Sequence, residues 1–185
     1  EGIDEVSSYR ATVQEIARIT DGPISAEVLS TDTSGMVEEG KEISRWAPNV
    51  VVKIPSTLEG LEAINKLSSE GISVNQTLCF SVNQALLGAA AGSAFVSPFV
   101  GRLDDEGHDG MTLVSDIVQV FRSYDIKTKV MAASIRHPLH CVVAAKVGAD
   151  IATLPYKVLL QMMHHPLTDV GVSRFLQDWQ QAVKI

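Results

Sequence analysis

Short apolar runs alternate with longer stretches of mixed polarity along most of this 185-residue chain. Six of the runs are six or seven residues long and rich in Val, Ile and Ala: residues 24–30, 50–55, 73–79, 94–100, 129–134 and 150–155. Runs of this length and β-branched content are typical of buried strands. The pattern therefore predicts six strands that are covered on both faces.

Between the runs, the spacing of apolar residues changes to that of an amphipathic helix. Residues 56–59 read Ser-Thr-Leu-Glu, which is a capping box at a helix start. Leu61, Ile64 and Leu67 then form a stripe, and Gly71 follows where a helix would end. Comparable signals predict further helices in residues 5–19, 81–92, 113–121, 138–148 and 172–183.

Strands buried on both faces and alternating with helices predict an α/β fold with a parallel sheet covered by helices. The two candidate architectures are an open doubly wound sheet and a (β/α)8 barrel. No Gly-rich dinucleotide-binding loop follows any of the six runs, which weakens the first alternative. A barrel needs eight strands, and the sequence shows six runs.

Composition and charge exclude several classes of protein. A hydrophobic content of 45% and a charged content of 20% are typical of one globular domain, which we expect to span residues 1–185. The net charge of −7 argues against nucleic acid as a partner, and no apolar run approaches the roughly 18 residues of a membrane span. Cys79 and Cys141 stand singly in apolar stretches, which predicts free buried thiols and a cytoplasmic protein. The five histidines show no metal-ligand spacing, so we expect no metal.

Lys53 is the most informative residue, because it lies inside the apolar run 50–55. Burying an ammonium group is costly unless the group is paired or used. Burial also favours the neutral amine, which can attack a carbonyl carbon. Alternatively, Lys53 reaches solvent near a strand end or pairs with Glu27. This segment alone leaves both interpretations open.

Polar residues recur at the ends of the predicted strands. Side chains two residues apart share a face of a strand, as Ser25 and Glu27 do, and likewise Asn75 and Thr77. Each of them could merely satisfy a backbone group. However, several strands carry polar residues at their carboxyl ends. This recurrence favours a functional site at that end of the sheet, where barrel enzymes have their active sites.

Two arginines follow neighbouring runs, Arg102 and Arg136. Two guanidinium groups that arrive from adjacent loops suit a phosphate dianion. The alternative is a set of surface salt bridges with Asp104, Asp105 or Asp125.

Several segments resemble the small transaldolases in order along essentially the whole chain. They are Ile-Ser-Ala-Glu-Val at 24–28, Val-Val-Lys-Ile-Pro at 51–55, Ser-Pro-Phe-Val-Gly-Arg-Leu-Asp at 97–104, Ala-Ser-Ile-Arg at 133–136 and Phe-Leu-Gln-Asp-Trp at 175–179. The resemblance implies a (β/α)8 TIM barrel whose last six βα units and C-terminal helix lie in residues 1–185. It also implies two preceding strands, one with an acid/base Asp, in an N-terminal segment ahead of this sequence.

The same resemblance implies transfer of a dihydroxyacetone unit between sugar phosphates in the pentose phosphate pathway, without a cofactor and in homo-oligomers such as pentamers or decamers. Lys53 would form the Schiff base with the ketose. Glu27 and Thr77 would position a catalytic water. Asn75 and Ser134 would bind the dihydroxyacetone part, and Ser97 would line the same site. Arg102 and Arg136 would bind the phosphate.

A sister group in the same family cleaves fructose 6-phosphate as an aldolase. It resembles this chain but carries Gln at the position of Glu27 and Tyr at the position of Phe99, so both residues here are of transaldolase type. The resemblance therefore favours a transaldolase. The alternatives are the fructose 6-phosphate aldolase activity and a truncated barrel that binds sugar phosphates without catalysis.

Overall fold

A computed structural model describes the backbone of residues 2–183 and the side chains of residues 6–183. Each apolar run contains one strand: β1 Ile24–Glu27, β2 Val50–Pro55, β3 Val74–Cys79, β4 Phe95–Pro98, β5 Lys129–Ala132 and β6 Ile151–Ala152. The six predicted strands are therefore confirmed. Five of them are shorter than the runs that predicted them, as strand ends read from sequence usually are.

Nine helices lie among the described residues: α1 Gly2–Ile19, α2 Thr33–Ile43, α3 Leu58–Ser69, α4 Val82–Ala91, α5 Val100–Asp105, α6 Gly110–Ser123, α7 Pro138–Val147, α8 Tyr156–Met163 and α9 Pro166–Ala182. All the predicted helices are present. The periodicity did not reveal α2, α5 and α8. In α2 only Met36, Gly40 and Ile43 are buried, so its apolar stripe is too sparse to recognise.

The capping box predicted at residues 56–59 is wrong by one position. Thr57, not Ser56, caps α3, because its hydroxyl accepts the N–H of Gly60 at 2.9 Å. Ser56 instead donates its hydroxyl to the carbonyl oxygen of Thr77 at 2.7 Å, which ties the end of β2 to β3. The hydrogen-bond partner of a Ser or Thr hydroxyl depends on which backbone groups lie near it in the folded chain.

The six strands are parallel and lie in the order β1-β2-β3-β4-β5-β6. Sequential parallel strands joined by helices are the architecture of a (β/α) barrel, and residues 2–183 form a curled half-barrel of six such units. The predicted α/β barrel class is confirmed. The register places Lys53 of β2 between Glu27 of β1 and Asn75 of β3.

The apolar core lies between the sheet and the surrounding helices. One part packs β1, β2 and β3 against α2 and α3, with Met36, Ile54 and Leu67 fully buried. The other packs β4 and β5 against α6, where Val114 and Ile117 are fully buried. Because the apolar side chains point toward the helices, the opposite face of the strands is free for polar residues.

The C-terminal helix α9 contrasts with this core. Its predicted apolar face is exposed among the described residues, with Phe175 74% and Trp179 70% accessible. None of its residues is buried. Between residues 2 and 183, no helix has both the length and the apolar content to cross a membrane.

Candidate active site

An open cavity of about 990 Å³ lies at the carboxyl ends of the strands. Lys53, Asn75 and Ser97 line it from the sheet, and residues from the following loops complete it: Phe99, Arg102, Ser134 and Arg136. The structure thus brings these predicted site residues together. Glu27 and Thr77 do not line the cavity.

The Lys53 amine lies at the wall of this cavity and pairs with Glu27. Its Nζ donates to Glu27 Oε2 at 2.9 Å and lies 5.7 Å from the centre of the Phe99 ring. The Lys53 side chain is 23% accessible and that of Glu27 is 41% accessible. The ion pair that the sequence offered as an alternative is therefore present, in a site that solvent can still reach.

Beside Lys53, three polar side chains form a hydrogen-bonded chain across the strands. The buried Ser97 hydroxyl donates to Asn75 Oδ1 at 2.7 Å, and Asn75 Nδ2 donates to Ser25 Oγ at 3.0 Å. These bonds fix which end of the Asn75 amide faces each neighbour. Among the described residues, the second Asn75 side-chain N–H and the Ser25 hydroxyl proton have no acceptor, so both can donate to a ligand.

Thr77 is fully buried, and its hydroxyl has no hydrogen-bond partner among the described residues. No hydrogen bond between Thr77 and Glu27 is present within residues 6–183. The pairing of β3 with β4 shifts between Gln76 and Cys79, and Leu78 has a φ of +53°. The pairing of β3 with β2 stays regular through Thr77, so the irregularity begins just beyond this residue.

The two arginines lie at the mouth of the cavity in different environments. Arg102, in the short helix α5, is exposed, and its Cζ lies 5.1 Å from the centre of the Phe99 ring. Arg136 pairs with Asp105 at 2.7 Å, and both side chains are more than half accessible. An exposed pair of this kind contributes roughly 0–1 kcal/mol, so an incoming anion can displace it.

The loop after β5 is docked on the start of α5. Ala133 and Ser134 accept the backbone N–H groups of Val100 and Gly101, each at 3.0 Å. Ser134 has a φ of +58°, an uncommon conformation for a residue other than Gly. This strained residue lies in the cavity wall between β5 and Arg136, a common location for strain at a functional site.

Ser25, Met131 and Thr153 are among the lining residues to which the sequence assigned no role. Ser25 was detectable, because it shares a strand face with Glu27. Thr153 follows the two-residue strand β6, which is too short to show an alternation. Met131 is an apolar residue of β5, and nothing in its type marks it as part of a site.

The described residues contain no group of three or more His, Cys, Asp or Glu side chains placed to hold a metal ion. Cys79 and Cys141 are free thiols, of which only Cys79 is fully buried. Burial raises the pKa of the Cys79 thiol to about 11, so it is unreactive near neutral pH.

The fold and cavity define a (β/α)-barrel protein with an amine, a polar chain and two guanidinium groups at the carboxyl ends of its strands. Residues 7–184 match the sequence model of the family described as transaldolase/fructose-6-phosphate aldolase. The match covers nearly the whole chain, and the chain therefore belongs to this family.

Relatives from several bacteria agree with this assignment. A protein of Dehalococcoides mccartyi named "probable transaldolase" is 62% identical over 180 residues, which are 97% of this chain and 83% of that protein. A protein of the same name from Roseiflexus castenholzii is 59% identical, over 94% of this chain and 80% of that protein. Another, from Moorella thermoacetica, is 58% identical, over 96% of this chain and 82% of that protein. These names support a function of the transaldolase family.

Proposed function

We propose that this protein is a transaldolase that transfers a dihydroxyacetone unit between ketose and aldose phosphates through a Schiff base on Lys53. One observation carries the proposal. The partly buried Lys53 amine shares one cavity with the Ser97–Asn75–Ser25 chain and with two arginines at the mouth. A nucleophilic amine, hydroxyl-binding groups and phosphate-binding groups are three of the parts that this reaction needs.

The chemistry starts at the ketose carbonyl. The neutral Lys53 amine attacks C2, and loss of water gives an imine. Cleavage of the bond between C3 and C4 sends its electron pair into the imine, while a general base takes the proton of the C4 hydroxyl. The aldose phosphate leaves, and a three-carbon enamine stays on Lys53. Its C3 then attacks the aldehyde of a second aldose phosphate, and the protonated base returns its proton to the aldehyde oxygen. Hydrolysis of the new imine releases the ketose phosphate and restores the amine.

The surrounding residues have separate tasks in this scheme. Glu27, 2.9 Å from Nζ, stabilises the cationic iminium and exchanges protons with it or with a bound water. Thr77 is the proposed partner of Glu27 in holding that water, since its buried hydroxyl lacks a protein partner among the described residues. Asn75, Ser97 and Ser134 bind the hydroxyl groups of the dihydroxyacetone part.

Arg102 and Arg136 bind the phosphate at the far end of the substrate. An incoming phosphate would replace Asp105 on Arg136 and would find Arg102 without an ion pair among the described residues. The apolar ring of Phe99 lies between Lys53 and Arg102 and offers no hydroxyl to a water near the enamine. This favours capture of the enamine by an aldehyde over its protonation and release, and hence transfer over net cleavage.

Borohydride trapping tests the proposal directly. Incubation with fructose 6-phosphate and borohydride should give a reduced adduct on the peptide that contains Lys53, detected by mass spectrometry. An adduct formed at full yield in Lys53→Ala would refute the assignment. Consumption of erythrose 4-phosphate in a coupled assay then separates an enzyme from a protein that only binds sugar phosphates.

We also propose that the protein forms homo-oligomers in which a second copy covers α9. The support is the exposed apolar face of this helix, which includes Phe175 and Trp179. An apolar patch of this kind is rare on a monomer in water. Light scattering should show an oligomer, and the Phe175→Ser and Trp179→Ser double variant should shift it toward monomer.

A further inference from the structure

We propose that His140 is a positioning residue for the phosphate site, because it fastens the backbone of Arg136 to the helix that carries Arg102. This inference rests on the phosphate-binding role proposed for the two arginines. It assigns a role to a histidine that contacts neither the cavity nor the reacting atoms.

The contacts of His140 join two segments that carry the arginines. His140 lies in the first turn of α7, and its side chain is only 9% accessible. Its Nδ1 accepts the backbone N–H of Arg136 at 3.3 Å, and its Nε2 lies 3.2 Å from Asp104 Oδ2. Asp104 belongs to α5, two residues after Arg102. The imidazole thus bridges the loop after β5 and the helix after β4.

The bridge specifies one protonation state of the ring. Because Nδ1 accepts a hydrogen bond, the single proton of the neutral imidazole must be on Nε2, from which it is donated to Asp104. A doubly protonated ring would set the Nδ1 proton against the N–H of Arg136. The bridge is therefore intact only while His140 is neutral.

The surroundings of His140 favour that neutral state. Burial is the main cause that lowers the pKa of His140, and the coulombic interactions with His137 and Arg136 lower it further. Asp104 and Asp109 oppose it, without reversing the direction. The ring of His137 lies 3.7 Å from that of His140, measured between centroids. At neutral pH the ring is thus in the form that the bridge needs.

Other contacts hold α5 from different sides. Asp104 Oδ1 accepts the N–H of Gly110 at 2.9 Å, which anchors it at the start of α6. The salt bridge between Arg136 and Asp105 is exposed and has to open when a phosphate binds. Of the side-chain links between the Arg136 loop and α5, the one through His140 is the buried one that can persist in the liganded state. Together with the backbone hydrogen bonds that Val100 and Gly101 donate to the same loop, it sets the spacing of the two guanidinium groups.

The test compares His140→Phe with His137→Phe in the purified protein. Both variants replace a histidine of the same segment by the same ring, but His137 is exposed and its side chain makes no hydrogen bond among the described residues. The probe is sulfate, which stays dianionic throughout the pH range used and needs no turnover. We expect His140→Phe to weaken sulfate binding by roughly 10-fold, as measured by calorimetry, and His137→Phe to leave it within about 2-fold.

Kinetics supply a readout that a general loss of structure would not mimic. In His140→Phe, KM for fructose 6-phosphate should rise, while turnover of unphosphorylated dihydroxyacetone donors stays near the parent value. His140→Asn keeps an acceptor near the position of Nδ1 and should restore part of the sulfate affinity. If His140→Phe fails to fold, His140→Gln, which offers no acceptor at that position, should show the same loss.

The pH dependence of sulfate affinity provides an independent test. As the pH falls below the ordinary histidine range, the parent protein should lose sulfate affinity relative to His140→Asn, in which His137 is retained. Equal sulfate affinity in His140→Phe and His137→Phe, no sulfate binding by the parent, or equal losses on phosphorylated and unphosphorylated substrates would each overturn the inference. Failure of the proposed function would be seen separately, as the absence of a Lys53 adduct in the parent protein.

Discussion

The cavity has two halves that are built differently, a strand half and a loop half. In the strand half, Lys53 and Asn75 are register partners on adjacent strands, and Asn75 and Ser97 are almost fully buried. In the loop half, Arg102 and Arg136 are exposed and extend from a six-residue helix and from a loop. The strand ladder holds its side chains through regular backbone pairing, whereas the loop half is held by two backbone hydrogen bonds and by side-chain links.

This difference suits the two tasks proposed for the halves. Formation of a covalent imine needs an amine held within a narrow range of positions, and rigid strands provide this. Binding a phosphate dianion at the end of sugars of different length tolerates small movements, because the attraction between charges falls gradually with distance. We therefore expect changes in the strand half to affect turnover and changes in the loop half to affect substrate affinity.

The largest effect is expected from Lys53→Ala, which should lower kcat for transfer by more than about 10³-fold, because no other lysine among the described residues lines the cavity. Lys129→Ala is the matched control, since Lys129 is an exposed lysine at the start of β5. Coupled assays of both variants give the comparison. Retention of more than about 1% of the parent activity in Lys53→Ala would show that Lys53 is not the nucleophile.

The next effect concerns the loop half. Arg102→Ala and Arg136→Ala should each cost roughly 2–4 kcal/mol in kcat/KM for phosphorylated substrates, because a charge-assisted partner of the phosphate is lost. Unphosphorylated aldehydes should be affected much less. Steady-state kinetics measure kcat/KM of each variant on phosphorylated and unphosphorylated substrates. Equal losses on both would assign the arginines a structural role and remove the contrast between the two halves.

A smaller effect is expected where the two halves meet. A Cβ added at Gly101 would collide with the carbonyl oxygen of Ser134 and the side chain of Arg136. Gly101→Ala should therefore lower the free energy of unfolding by about 1–3 kcal/mol and raise KM for phosphorylated substrates. Gly171→Ala, in α9, has open space around the new atom and should be neutral or stabilising by up to about 1 kcal/mol.

Urea denaturation of both glycine variants measures this difference. A Gly101→Ala protein as stable as Gly171→Ala, with unchanged KM, would mean that the loop after β5 moves away from α5 without cost. The spacing of the arginines would then not depend on this close approach.

The smallest effect should come from Phe99→Tyr, alone or with Glu27→Gln. A hydroxyl near the enamine offers a neutral proton donor to water, so release of free dihydroxyacetone should rise relative to transfer by roughly 3- to 10-fold, or about 1 kcal/mol. Product ratios from chromatography measure this. If the ratio is unchanged in both variants, these two positions do not set the outcome of the reaction.

Much of the strand half could be predicted from the sequence. The strands are short runs of β-branched residues, and side chains alternate between faces with a period of two, so a lysine inside such a run is conspicuous. The same local rule places Asn75 and Ser97 on polar positions of buried strands. The same rule does not show that Thr77, two residues after Asn75, has a buried hydroxyl outside the cavity wall.

The loop half could be predicted only in part. The sequence shows that Arg102 and Arg136 follow neighbouring strands, but α5 has six residues and no side-chain N-cap, so it has no signal of its own. Nothing in the spacing pairs Asp104 with His140, 36 positions later, or places Arg136 beside Gly101.

The physical reason for this division is the range of the forces involved. Strand formation, burial and the alternation of faces follow from neighbouring residues, so the sequence by itself determined the barrel units and the placement of Lys53 in one of them. The pairing of Lys53 with Glu27 and the bridge through His140 join atoms from different strands and loops. Those contacts exist only once the sheet curls and its register is set, which the tertiary structure alone decided.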